Sequence, residues 1–175
     1  MENKFNTKKM RVNAILIAIG AVLHVASPTF GVAQPDFALA MLFIIILINR
    51  DYKSALFSGI IIGIFTAITT KTVGGQLPNI IDKVVTANIA YLMLIPLRDR
   101  FNKNIQAIML LIVGTFVSGT VFLTSMIAIV GIPFSALPTG LLSVLLPTAC
   151  INVVLGVIIF NVVNQAIKQV HLNLK

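Results

Sequence analysis

Residues 71–83 read KTVGGQLPNIIDK, and how this stretch is placed decides the fold. It lies between apolar runs at about 53–70 and 78–97, each long enough to be read as a membrane helix of roughly 20 residues. The Gly74–Gly75 pair supplies the backbone freedom of a tight turn or a close ligand approach. Pro78 suits the first turn of a helix, where its missing N–H costs nothing. The stretch is therefore an outer turn followed by a helix start at about Pro78, with Gln76 or Leu77 as the predicted cap. The exposed donors and positive dipole end of that helix face outward, a natural place for a carboxylate.

Beyond the turn, the 3.6-residue period places Asn79, Asp82, Lys83 and Thr86 within an arc of roughly 100°. Ile80, Ile81, Val84 and Val85 cover the other side. A polar stripe is costly against lipid, so it is expected to face the bundle interior or a water-filled cavity. Adjacent residues on a helix do not face each other, so the charges of Asp82 and Lys83 are expected to be available to partners elsewhere. The competing reading leaves Lys83 snorkelling to the outer interface and Asp82 favouring the helix's positive end.

Composition agrees with membrane placement. Of 175 residues 58% are apolar and 10% charged, with a mean hydropathy of +1.01, against roughly 45–50% and about 25% in soluble domains. Six apolar segments, at about 10–27, 36–49, 53–70, 78–97, 105–130 and 139–165, predict an all-α integral membrane protein. Residues 1–175 then form one six-helix transmembrane domain. The second segment, DFALAMLFIIILI, is short for a span and by length alone favours a buried segment. It is kept as a span because the helix can extend over Pro35 and Asn49, and because removing it misplaces the basic loop that follows. The basic amino terminus leads into a full span with no small-residue cleavage site at the right distance, so an uncleaved first helix is expected.

Charge sets the orientation. The net charge is +8. With the amino terminus inside, the inner face collects Lys4, Lys8, Lys9, Arg11, Arg50, Lys53, Arg98, Arg100, Lys103, Lys168 and Lys175, while the outer loops hold Lys71 alone. By the positive-inside rule both termini are cytoplasmic. The basic balance thus implies orientation and contact with anionic lipid of the bilayer, not nucleic acid. Single Cys150 excludes an internal disulfide and argues against a metal cluster. There is no P-loop, HExxH pair, nucleophile elbow or hydrolase-like carboxylate pair, so neither enzymatic activity nor a cofactor is expected.

The outer loops, PTFGVAQPD, KTVGGQLPN and GIPFSALP, are rich in Gly, Pro and Phe and nearly uncharged, as suits loops that fold over a ligand. His24, near the outer end of the first span, is either a packing residue or a ligand contact. Asp36 is read first as the cap of the second helix and second as a ligand contact. Phe30, Phe37, Phe65 and Phe134 are candidate aromatic walls, although singly such residues are more often packing or lipid-facing. Ala14, Ala18 and Ala21 form a small-residue ridge that lets another helix approach closely.

The segments AILIAIGAVLH in the first helix, PDFALAM opening the second and GGQLPNIIDK opening the fourth resemble the small bacterial tryptophan transporter family. Members of that family are similar to substrate-binding S-components of energy-coupling factor transporters, and the resemblance extends over nearly the whole chain. It implies a multi-pass protein of the bacterial cell membrane that binds L-tryptophan near the outer face. It also implies association with a transmembrane coupling protein and two ATPase subunits, which drive uptake. Ala14 and Ala18 match the AxxxA motif with which such components dock to the coupling protein. On this reading Asp82 meets the substrate ammonium, and Gln76, Asn79 and the helix start at Gly74–Gly75 meet its carboxylate. Lys83 serves that carboxylate or anchors the helix, and His24, Asp36, Phe30 and Phe37 complete the site. The alternatives are a stand-alone secondary transporter of tryptophan or a related aromatic or indole compound, and a membrane scaffold with no small ligand.

Overall fold

The structure, a computed structural model, describes residues 7–31 and 33–169. Lys4 and Lys175, two of the charges used for orientation, lie outside the described residues. Within them the chain forms six helices and no strand. These are α1 (Thr7–Val25), α2 (Phe37–Ile48), α3 (Tyr52–Ile68), α4 (Gln76–Leu97), α5 (Lys103–Val130, its last turn π-helical) and α6 (Ala136–Gln169, with a π-helical turn at Leu141–Leu145). Helices α4, α5 and α6 are long and apolar enough to cross a membrane; α2 and α3 are apolar but shorter.

The bundle is built around α2. Its sequence is apolar on every side, the pattern of a helix enclosed by protein or lipid, and ten consecutive residues from Ala38 to Leu47 are buried. At 12 residues it is only about 18 Å long. It does not extend over Pro35 and Asn49 as expected, because each end is capped by side chains. Asp36 Oδ1 accepts the Leu39 N–H at 2.9 Å, as the sequence suggested. At the other end Arg98 donates to the carbonyls of Ile46 and Asn49, at 3.2 and 3.0 Å. Helices α1, α3, α4, α5 and α6 all pack against α2, so its short length is matched by neighbours that supply its surroundings.

Close approach of helices depends on small residues, since apolar side chains gain little by leaving lipid for protein. On α3, Ala55, Gly59, Gly63 and Ala67 are all buried and repeat every four residues. They lay α3 directly on α4: a Cβ at Gly59 would stand 2.6 Å from Ala87 Cβ, and one at Gly63 would stand 3.2 Å from Ile80 Cα. This ridge holds the α4 backbone around Lys83. Gly20 plays the same part for α1, where a Cβ would meet Met41 at 3.0 Å. The opposite face of α1, with Ala14, Ile15, Ala18, Ile19 and Val22, is exposed.

Helix α4 begins at Gln76, two residues earlier than the sequence suggested, with Gly75 as its cap. The Gly75 carbonyl accepts both the backbone N–H of Asn79, at 3.0 Å, and its side-chain amide, at 2.8 Å. Pro78 still falls in the first turn, where no helical acceptor is lost. Replacing Gly59 with Leu is expected to destabilise the protein by about 1–3 kcal/mol through overpacking against Ala87. Thermal unfolding in detergent, followed by circular dichroism, checks this; an unchanged midpoint would mean that α3 and α4 are free to separate.

Candidate binding site

The amino-terminal ends of α2 and α4 open onto one cavity of about 300 Å³, at the lower end of the roughly 300–1,000 Å³ typical of small-molecule sites. Its two halves differ in chemistry. His24 of α1, Asp36 at the start of α2, and Asn79, Asp82 and Lys83 of α4 form a polar half. Phe122 and Leu123 of α5 with Val144 and Leu145 of α6 form an apolar half.

The polar half centres on Lys83. Its ammonium lies 2.5 Å from Asp82 Oδ2 and 2.8 Å from Asp36 Oδ2, with Ser118 Oγ at 3.4 Å. Asp82 is enclosed further: Thr86 donates to Oδ1 and Ser118 to Oδ2, each at 2.9 Å. The Lys83 and Asp82 side chains are 2% exposed, and that of Asp36 is 20% exposed. The cluster therefore comprises two carboxylates and one ammonium, a formal charge of −1 where the dielectric is low and unpaired charge is costly.

This arrangement goes against the competing reading, since Lys83 does not snorkel outward, and it corrects one expectation: the charges of Asp82 and Lys83 are not free of each other. Neighbours on a helix point apart at Cβ, but the four-carbon lysine stem is long enough to bend back, and Asp36 from α2 provides a second anion on that side. Once buried, the ammonium is held by both carboxylates, and removing either would leave uncompensated charge.

His24 Nδ1 sits 3.4 Å from Asp36 Oδ1 without the alignment of a hydrogen bond, and it has no other partner among the described residues. Asn152 of α6 joins the far side, its Oδ1 accepting the Asp36 backbone N–H at 2.9 Å and its amide reaching Thr115 at 3.4 Å. Above the cavity, Lys71 donates to the Ser27 carbonyl at 3.2 Å, and Ser27 Oγ donates to that of Pro35 at 2.9 Å. The first bond ties the α3–α4 loop to the α1–α2 loop, and the second closes the α1–α2 loop on itself.

Of the residues singled out from sequence, His24, Asp36, Asn79, Asp82 and Lys83 come together around the cavity. Gln76, Gly74, Gly75, Phe30 and Phe37 do not line it. Gln76 is exposed, Phe30 is 56% exposed, and Gly74, at φ 76°, turns the loop against Val130. Phe65 and Phe134 also stand outside, leaving Phe122 as the aromatic side chain of the lining. Thr115, Ser118 and Asn152 escaped the sequence reading. The signal was present, since each is a polar residue inside an apolar span and Thr115 and Ser118 share a face at i, i+3.

A bundle of apolar helices with a charged, ligand-sized cavity at one end defines a membrane-embedded, multi-pass protein with a candidate small-molecule site. The sequence profile of the tryptophan transporter TrpP family matches residues 6–168, and the chain belongs to that family. It is 47% identical over 134 residues to a probable tryptophan transport protein of Clostridium acetobutylicum, covering 75% of this chain and 78% of the relative. A protein described in the same words from Clostridium perfringens is 44% identical over 146 residues, with 77% and 80% covered. One from Bacillus subtilis is 42% identical over 134 residues, with 75% and 77% covered. No solved structure matches the chain significantly. The family and these relatives are bacterial transporters, not enzymes.

The charge cluster is expected to behave as a unit. Lys83→Met strands two buried carboxylates and should cost about 3–5 kcal/mol. Combining it with Asp36→Asn and Asp82→Asn should recover much of that loss. Thermal unfolding of the single and triple variants decides; a triple variant no more stable than Lys83→Met would mean the charges do not compensate one another.

Proposed function

We propose that this chain binds L-tryptophan in the cavity, as the substrate-binding S-component of an energy-coupling factor importer. The observation that carries the reading is a cluster of two carboxylates about one ammonium at the floor of a cavity whose facing wall is apolar. An ammonium satisfies the floor and an aromatic side chain fills the wall. Family membership makes tryptophan the first candidate among amino acids of that shape.

On this reading the ammonium meets Asp36, the more accessible of the two carboxylates, each of whose oxygens retains a further lone pair. Asp82 acts through Lys83, holding it in place and setting the charge of the cluster. The carboxylate lies toward Lys71 and the Asn79 amide, which has a second N–H beyond the one given to Gly75. His24 borders the ammonium beside Asp36. Gly74, Gly75 and Phe30 then belong to the loops beside the cavity, and Gln76 and Phe37 to the first turns of α4 and α2.

Six spans with both termini cytoplasmic follow from the asymmetry of Lys and Arg, which puts the cavity on the outer side. Uptake from there needs an energy source. The exposed Ala14–Ala18 ridge of α1 supports docking to a transmembrane coupling protein with two ATPase subunits, because small residues permit close helix approach.

Calorimetry with purified protein is expected to show tryptophan binding, and a folded sample that binds none would end this reading. Asp36→Asn should weaken binding by about 1–3 kcal/mol, with Asp82→Asn weakening it too. Ala14→Trp should leave binding intact and abolish uptake in cells that carry the coupling module. Uptake by the chain alone in proteoliposomes, driven by an ion gradient, would instead establish a stand-alone secondary transporter.

A further inference from the structure

Resting on the reading of the cavity as a tryptophan site, a further question is which side chain recognises the polar atom of the indole ring. Indole offers one N–H donor and no acceptor. A donor buried against hydrocarbon without a partner carries a large desolvation cost. A wall that prefers indole to a plain hydrocarbon ring therefore needs one acceptor, set among apolar groups and not already engaged.

Helix α6 presents Val144, Thr148 and Asn152 to the cavity, and residues four apart share a helix face. Asn152 marks the polar floor through its bond to the Asp36 N–H, while Val144 belongs to the apolar wall. Thr148 stands between them, about 6 Å along the axis from Asn152, a distance a tryptophan spans between its ammonium and its ring nitrogen. The π-helical turn at Leu141–Leu145 widens the helix just before this point, and Val144 and Leu145 both face the cavity ahead of Thr148. Such turns recur at functional sites.

The hydroxyl of Thr148 has no hydrogen-bond partner among the described residues. Several other threonines differ: Thr66, Thr69 and Thr124 donate to the carbonyl four residues back, and Thr86 donates to Asp82. Of the other threonines in the lining, Thr115 is engaged by the Asn152 amide, and Thr69, Thr70 and Thr72 stand at the end of α3 and in the loop after it. Thr148 thus combines a free acceptor, a place in the lining and the correct height above the charged floor.

We propose that Thr148 Oγ1 accepts the indole N–H and so sets the preference for tryptophan over aromatic amino acids that lack this donor. The side chain is a specificity determinant, separate from the Asp36–Lys83–Asp82 cluster that holds the charged end.

The test compares L-tryptophan with 3-(benzothiophen-3-yl)-L-alanine, in which sulfur replaces the ring N–H, by calorimetry on the full chain in detergent. Wild type should prefer tryptophan by roughly tenfold. Thr148→Val should weaken tryptophan by about 5- to 30-fold, leave the sulfur analogue within about twofold and so remove the preference, while Thr148→Ser should retain it. Equal weakening of both ligands by Thr148→Val would assign the residue to packing and overturn the proposal. Unchanged tryptophan affinity would overturn it as well, by placing the N–H acceptor elsewhere. Binding of neither ligand to folded wild type would instead remove the tryptophan reading on which the proposal stands. The thermal midpoint of ligand-free Thr148→Val, expected to match wild type, separates these outcomes from misfolding.

Discussion

One lysine held between two carboxylates, inside a bundle that is otherwise hydrocarbon, constrains much of this structure. Charge in that environment is tolerated only when paired and hydrogen-bonded. Lys83 therefore requires α4 to face inward and the start of α2 to sit where Asp36 can reach it. Ser118 brings α5 to the same point, and Asn152 brings α6 by bonding the Asp36 backbone. Four helices are thus registered by a handful of polar atoms at one end, while small residues and apolar packing bring them together along the rest of their length.

The same constraint separates stability from recognition. Asp82 is almost wholly satisfied by Lys83, Ser118 and Thr86 and behaves as part of the frame. Asp36, which caps α2 and also reaches Lys83, is the more exposed of the two carboxylates. Asp36 is thus positioned by groups that are themselves buried and hydrogen-bonded. The other wall, from α5 and α6, is apolar and includes the π-helical turn at Leu141–Leu145. The charged end of a ligand and its side chain would then be read by different helices.

Several features were legible in the residues. The polar arc on α4 followed from the 3.6-residue period, and Asn79, Asp82, Lys83 and Thr86 are indeed all buried. The cap at Asp36 followed from its place before an apolar run. The loop aromatics were not legible in the same way: Phe30 and Phe134 are exposed, because a phenylalanine in an outer loop carries no signal of the direction it faces. The small-residue ridge of α3 was also passed over, since such spacing is frequent in any membrane helix and acquires meaning only beside a partner.

Sequence by itself determined an all-helical membrane chain, the positions of its helices, a polar face on α4 and membership in a tryptophan transporter family. The first three are properties of composition, period and local caps, which each segment carries alone, and family membership rests on similarity along most of the chain. The tertiary structure decided what Lys83 does, which of the two carboxylates is the more exposed, and that α2, too short to stand by itself, is the enclosed centre of the bundle. Those outcomes depend on contacts 35 or more residues apart in the chain, such as Lys83 with Asp36 and Ser118. No local pattern encodes such a pairing, because each partner's preference is only to avoid being alone in hydrocarbon.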